Sequence, residues 1–125
     1  MLRRISFVLV LLTLCLGISN AAFAQKTAVQ RVVVVKTDNV AAYVQAIARG
    51  KEIQTKLGIN IPTRIWQGTF AGPNAGTVVV TIEFPDMGTL AQDYTKLNAD
   101  SDYQAWLKDL DKIRTIVSDS IYKEL

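Results

Sequence analysis

Apolar residues first crowd together in the segment VQRVVVVK, where β-branched side chains occupy neighbouring positions. A strand that is apolar at adjacent positions is buried on both of its faces. We therefore predict a central strand from Val29 to Lys36. Other elements must cover each of its two faces.

After this strand the apolar spacing changes to three and four residues, which indicates an amphipathic helix. We expect Asp38 to cap the helix and Gly58 to end it, because a terminal glycine followed by apolar Ile59 fits a helix C-terminus. Gly50 lies inside the helix and costs about 1 kcal/mol relative to alanine. It either allows the helix to approach the sheet closely or is simply tolerated. The apolar stripe comprises Val40, Tyr43, Val44, Ile47, Gly50, Ile53 and Leu57.

Two further strands, residues 63–71 and 76–84, flank the sequence GPNA. A phosphate-binding loop of the Walker type requires G-x-x-x-x-G-K-[ST] between a strand and a helix. Here Thr77 follows Gly76 without a lysine, and a strand comes next. Pro73 and Asn74 between glycines are typical turn residues. We therefore predict a β-hairpin.

A four-residue turn would place Arg64 opposite Glu83 and sort the hairpin into two faces. The first face would carry Arg64, Trp66, Gly68 and Phe70 against Glu83, Thr81, Val79 and Thr77. Arg64 and Glu83 then form either a cross-strand ion pair worth about 0.2–1 kcal/mol or a polar anchor beside a pocket.

The remaining pattern predicts two short helices and a last strand. Asp86 can cap the first helix, and Asp100 or Ser101 can cap the second. The segment TIVSDSIYKEL is prone to form a strand. The order β, α, β, β, α(α), β is that of the ferredoxin-like split βαβ unit. We expect an α+β fold with a four-stranded antiparallel sheet and helices on one face.

Residues 1–24 have the pattern of a secretory signal peptide, with MLRR, an apolar stretch, and an A-x-A site at Ala22 and Ala24. The apolar run is shorter than the roughly 20 residues that span a membrane. We expect cleavage after Ala24, export to the periplasm or beyond, and no membrane association of the mature chain. Residues 25–125 then form one domain.

The composition of the mature chain excludes several classes of function. Removing the leader leaves 12 basic residues, from a total of 14, against 11 acidic ones, which gives no electrostatic case for nucleic-acid binding. The single cysteine, Cys15, leaves with the leader. Histidine is absent from the sequence, which excludes catalytic triads and metal or haem sites that use histidine. We expect neither a metal nor a cofactor.

The segment RIWQGTFAGPNAGTVVVTIEFPDMGTLAQDYTKLNADSDYQAWL resembles the second half of the dimeric α+β barrel superfamily, which includes antibiotic-biosynthesis monooxygenase-like and NIPSNAP-like domains. The likeness lies in the glycine turn after an aromatic-bearing strand, the EF strand end, and ADSDYQAW between two helices. It implies two protomers packed sheet to sheet, with a small-ligand cleft between sheet and helices. Haem-degrading members of the superfamily use a histidine beside an Asn and a Trp. This chain has no histidine, so haem degradation is not expected.

Five residues are candidates for ligand binding: Trp66, Arg64, Glu83, Phe70 and Trp106. For both tryptophans, core packing is favoured over catalysis. Glu83 and Asp119 could supply acid–base chemistry if burial raised their pKa values. Two functions remain: a non-catalytic module for a small apolar or aromatic ligand, or a cofactor-independent oxygenase-like enzyme. A cavity containing Trp66 and a polar group would favour the enzyme, and a filled core the module.

The strand containing Val32 and Val35 also predicts self-association. One layer of helices covers only one face of a four-stranded sheet, and an apolar open face marks an interaction site. We expect a second copy of the chain to cover it through a two-fold axis. Trp66, Phe70 and Val79 are assigned to that face, the alternative being a position under the helices.

Overall fold

The structure is a computed structural model that describes residues 27–69 and 72–125. The predicted leader and Phe70 lie outside these residues. The elements follow the expected order: β1 Val29–Lys36, α1 Val40–Lys56, β2 Thr63–Gln67, β3 Val78–Phe84, α2 Met87–Ala99, α3 Ser101–Asp111 and β4 Thr115–Lys123. Within the described ranges, no helix is long and apolar enough to cross a membrane.

The four strands form one antiparallel sheet in the order β2-β3-β1-β4. Val33 and Val35 of β1 pack with Val78 and Val80 of β3 against α1 and α3. Phe84 extends this packing to α2 through Leu90 and Leu97. The helices therefore share one side of the sheet, which confirms the ferredoxin-like α+β fold. We call the opposite side the open face.

The ends of α1 follow from local chemistry. Asn39, rather than the expected Asp38, is the N-cap, because its side-chain oxygen accepts a hydrogen bond from the Ala42 amide at 3.0 Å. At the other end, Gly58 has a φ of 72°. The Ile59 amide donates to the Gln54 carbonyl at 2.9 Å, and the Gly58 amide to the Thr55 carbonyl at 3.0 Å. This Schellman arrangement confirms the predicted helix end.

The predicted hairpin forms, but its register differs by two residues. Arg64 lies opposite Thr81 and Trp66 lies opposite Val79, so the predicted pairing of Arg64 with Glu83 is wrong. Because side chains alternate with a period of two, a shift of two residues keeps each side chain on its face. Arg64, Trp66, Val79 and Glu83 consequently share the open face as expected.

The loop explains the shift. Instead of a four-residue turn, the connection contains a 3-10 turn at Gly72–Asn74, and β2 already ends at Gln67. Gly68 faces two residues of the returning chain: its amide donates to the Thr77 carbonyl at 2.9 Å, and its carbonyl accepts from the Gly76 amide at 2.7 Å. Two residues against one is a β-bulge, and Gly76 supplies the required positive φ of 78°.

Trp106 joins the two parts of the core. Its indole N–H donates to the Ala46 carbonyl of α1 at 2.7 Å, and its ring lies on Gly50. A Cβ at Gly50 would come within 2.3 Å of Trp106 Cζ2. The glycine thus permits a close approach, but the approaching group is a tryptophan of α3 rather than the sheet.

Strand β4 is the least covered part of the sheet. Val34 pairs with Ser118 and Val35 pairs with Ile116, so Val117 is an extra residue that forms a bulge. The exposed fractions are 46% for Ile116, 48% for Val117 and 48% for Ile121. The helix layer therefore covers the other strands and leaves β4 open to solvent.

We predict that Gly50→Ala destabilises the protein despite the higher helix propensity of alanine. Overpacking against the indole costs about 1–3 kcal/mol, whereas the gain in propensity is about 1 kcal/mol. In a Trp106→Leu background there is no indole for the new Cβ to clash with, so Gly50→Ala should stabilise the protein. Urea denaturation of the four proteins measures this coupling. An increase in stability of about 1 kcal/mol from Gly50→Ala alone would contradict the close packing.

Candidate functional site

Three of the predicted site residues meet on the open face. Trp66 is 52% exposed, and its indole N–H donates to Thr81 Oγ1 at 3.0 Å. Arg64 Nη1 lies 3.6 Å from Glu83 Oε1, a diagonal ion pair with both side chains exposed. Such exposed pairs contribute about 0–1 kcal/mol. The site has a fixed indole but little electrostatic anchoring.

The two tryptophans have different roles. Trp106 is part of the core, as expected, and its ring centroid lies 5.2 Å from that of Tyr103. The expectation that Trp66 is a core residue is wrong within a single chain, because half of its surface faces solvent. The structure thus separates Trp106 from the open-face group, and Phe70 lies outside the described residues.

The space between sheet and helices is filled by two clusters of buried residues. Three cavities lie at its margins. One of 610 Å³ is at the sheet end near Gln30, Glu83 and Tyr122. One of 540 Å³ is at the opposite end of β1, and one of 490 Å³ is between α1 and α3 beside Trp106. None of these three is lined by Trp66.

Among the described residues, the most connected polar group is centred on Arg31, which was not among the residues predicted for the site. This side chain projects from β1 toward the helices. Its Nε donates to Asp119 Oδ1 at 2.8 Å, and its Nη2 donates to Asp119 Oδ2. Its Nη1 donates to the Tyr94 hydroxyl at 2.6 Å, and the guanidinium carbon lies 4.9 Å from the Tyr94 ring centroid. One arginine thus links β1, β4 and α2.

This network fixes charge states in the site. The hydrogen bond from Arg31 lowers the pKa of Asp119, which is opposite to the increase expected from burial. The hydrogen bond with Asp119 in turn raises the pKa of Arg31. Burial raises the pKa of neighbouring Tyr103 to about 12. At neutral pH the site therefore contains a closed ion pair beside neutral Tyr103.

We define the lateral ledge as Arg31, Tyr94, Asp119 and Ile121. Ile121 lies directly opposite Arg31 in the β1–β4 register, so the two side chains share the helix-facing side of the sheet. Ile121 is 48% exposed there. Because the Tyr94 oxygen accepts a hydrogen bond from Arg31, its own O–H remains able to donate. The ledge therefore offers an apolar contact, an aromatic ring and a hydrogen-bond donor.

A signal for this site was present in the sequence. Arg31 shares the face of Val33 and Val35, which pack under the helices. A charged residue on a buried face requires a partner of opposite charge. The acid on the last strand, Asp119, meets this need. The Tyr94 contact depends on how α2 crosses the sheet, which the residue pattern does not define.

Comparison with known proteins supports the fold. SnoaB, a cofactor-independent oxygenase from Streptomyces nogalater, superimposes with a TM-score of 0.60 and 10% identity over 79% of this chain and 94% of that protein. A NIPSNAP family protein from Agrobacterium tumefaciens gives 0.58 and 16% identity over 78% and 91%. A candidate antibiotic biosynthesis monooxygenase from Bordetella bronchiseptica gives 0.50 and 8% identity over 80% and 97%. These likenesses show that the chain has the ferredoxin-like α+β fold.

No protein-family model and no curated protein matches the sequence. In the part of the chain that the structure describes, no group of three or more acidic, cysteine or histidine residues is placed to hold a metal ion.

We predict that the Arg31–Asp119 pair makes stability depend on acid pH. The native pKa of Asp119 lies below its unfolded value, so the added stability is complete above about pH 4 and is lost as the pH falls through the native pKa. Asp119→Asn should reduce the free energy of unfolding at pH 7 by at most about 1 kcal/mol, because the pair is partly exposed. It should also flatten the decline below pH ~4.

Urea denaturation at several pH values checks both effects. Glu52→Gln is the matched control, because Glu52 is exposed on α1 and forms no ion pair with another described residue. Identical pH profiles for Asp119→Asn and the wild-type protein would contradict the assignment.

Proposed function

We propose that the chain is an exported, non-catalytic module that binds a small apolar or aromatic ligand on the lateral ledge and acts as a homodimer. Export is inferred from the leader, residues 1–24. The observation that carries the ligand proposal is the exposed Ile121 beside the hydrogen-bonded Arg31–Tyr94 pair. Ligand sites combine apolar lining with a few placed polar groups, and the ledge has both.

The ledge is suited to binding more than to acid–base catalysis. A general base works best when its pKa is close to the working pH. The pKa of Asp119 is lowered, and both of its oxygens accept hydrogen bonds from Arg31. Each of its oxygens therefore already accepts one hydrogen bond from a cation. The filled interior between sheet and helices also favours a module over an enclosed reaction chamber.

The second candidate function is a cofactor-independent oxygenase-like enzyme that acts on an aromatic small molecule. The fold shared with SnoaB supports it. In this chain, the Tyr94 hydroxyl is the group that could donate a hydrogen bond to a reacting oxygen. Consumption of oxygen by the protein with its bound ligand distinguishes the enzyme from the module.

The open face supports the proposed homodimer. Val32, Val34 and Val79 form an apolar centre between neighbouring strands, and Trp66 stands beside it with half of its surface exposed. A second copy of the chain, placed on this face through a two-fold axis, would cover the three valines and Trp66 in each protomer. Burying an aromatic residue at the centre of an interface contributes strongly to affinity.

We predict that the mature protein, purified from the exported fraction, carries a small molecule that native mass spectrometry detects. Ile121→Glu should remove it, because a carboxylate would replace the apolar contact on the ledge. Ile116→Glu is the matched control, since Ile116 is equally exposed on the same strand but lies five residues away. Absence of a bound molecule, or equal loss in both variants, would refute the ledge as the site.

We predict that Val79→Lys gives a folded monomer and that Val80→Lys prevents folding. Val79 lies on the open face, whereas Val80 is 3% exposed under the helices. A buried, unpaired lysine costs several kcal/mol. Sedimentation at micromolar concentration measures the mass, and circular dichroism measures the fold. A wild-type protein that sediments as a monomer would overturn the dimer.

A further inference from the structure

The cavity between α1 and α3 shares no lining residue with the ledge. Its volume is about 490 Å³, within the range of roughly 300–1,000 Å³ that is usual for small-molecule sites. A dry apolar cavity of about 150 Å³ is already large enough for benzene. Most of the residues that line the cavity are apolar. They are Ala42, Ala46, Ile53, Trp106, Leu110 and Ile113.

Trp106 forms a fixed wall of this cavity. Its indole N–H donates to the Ala46 carbonyl at 2.7 Å, and its ring packs against Gly50. The Tyr103 ring lies next to it, with 5.2 Å between the two ring centroids. Trp106 is nevertheless only partly buried, so some of its ring surface is left for a ligand. A wall that is ordered before binding lowers the entropy cost of binding.

The polar lining residues do not require a charged ligand. Asp109 already contacts Lys112 at 2.9 Å. Gln45 and Arg49 are exposed, and Arg49 forms no hydrogen bond or ion pair with another residue that the structure describes. An exposed ion pair between a ligand and Arg49 would contribute little to affinity. The cavity is therefore suited to an uncharged molecule, with one cation available at its solvent side.

We propose that this cavity binds an uncharged aromatic molecule of one or two rings, in contact with Trp106 and within reach of the Arg49 guanidinium. The apolar walls bury the carbon atoms of the ligand. Contact between its ring and the indole adds to the effect of burial, and a guanidinium is attracted to the face of an aromatic ring. A saturated molecule of the same size would keep only the first of these contributions. The proposal depends neither on the ligand of the ledge nor on the dimer.

Nuclear magnetic resonance of the isotope-labelled mature protein tests the proposal with naphthol and with decahydronaphthol, its saturated counterpart. The Trp106 indole N–H gives its own signal, and a Trp66→Phe variant identifies it, because the sequence contains two tryptophans. We expect naphthol to shift this signal saturably, with a dissociation constant below about 1 mM. The saturated compound should bind at least about threefold more weakly. No saturable shift at Trp106, or equal binding of the two compounds, would overturn the proposal.

Two alanine substitutions of the same size locate the site. Ala42 lines the cavity and is partly buried, whereas Ala48 is exposed on α1 and does not line it. Ala42→Leu should weaken naphthol binding about tenfold, because the larger side chain occupies apolar space that the ligand needs. Ala48→Leu should leave binding unchanged. Equal weakening by both variants would refute the site. Circular dichroism confirms that both variants are folded.

Two further variants separate this cavity from the ledge. Arg49→Gln keeps an exposed polar side chain but removes the cation, so it should weaken naphthol binding about threefold and leave decahydronaphthol binding unchanged. Ile121→Glu alters the ledge and should leave the naphthol-induced shift at Trp106 intact. This result would hold even if the ledge bound no ligand. Loss of the Trp106 shift in Ile121→Glu would assign the response to the ledge and overturn the cavity.

Discussion

The packing of the Trp106 ring against Gly50 is the contact on which the helix layer depends. The ring touches both clusters of buried residues, one around Val35 and Tyr43 and one around Phe84 and Leu97. Its N–H also binds a carbonyl of α1. Without this contact, α1 and α3 would need other side chains to span the gap between them. The absence of a side chain at residue 50 is therefore as important to the fold as the large side chain that fills the space.

The position of the helix layer decides where chemistry is possible. The helices pack over β1, β2 and β3, so the interior there is filled by apolar side chains. Strand β4 lies at the side of this layer, and its helix-facing surface is exposed. Arg31 lies at the boundary between these regions. Arg31 forms an ion pair with Asp119 of β4 and donates a hydrogen bond to Tyr94 of α2. The Arg31 network thus lies where the helix layer stops covering the sheet. It connects the edge of that layer to β4.

Residue patterns within single helices and strands predicted the fold well. Contacts between these elements were harder to predict from the sequence. The bounds of β1 follow from its run of apolar residues. The Schellman end of α1 follows from Gly58 and Ile59, and the two faces of the hairpin follow from the alternation of side chains along its strands. The predicted hairpin register was wrong because the connection is longer than the predicted four-residue turn: β2 already ends at Gln67, and a bulge at Gly76 adds a residue. Arg31 escaped notice because its neighbours are valines, and its partners lie 63 and 88 residues away. Sequence separation of this size hides a pair that the sheet brings together.

The bulge at Val117 has a consequence for solubility. β4 is an edge strand with several exposed apolar side chains, which is the kind of surface that recruits further strands into aggregates. An extra residue twists the edge and interrupts its regular row of amides and carbonyls. A strand from another molecule then finds matching hydrogen-bond partners over only a short stretch. The irregularity therefore opposes the use of this edge as a template for fibrils.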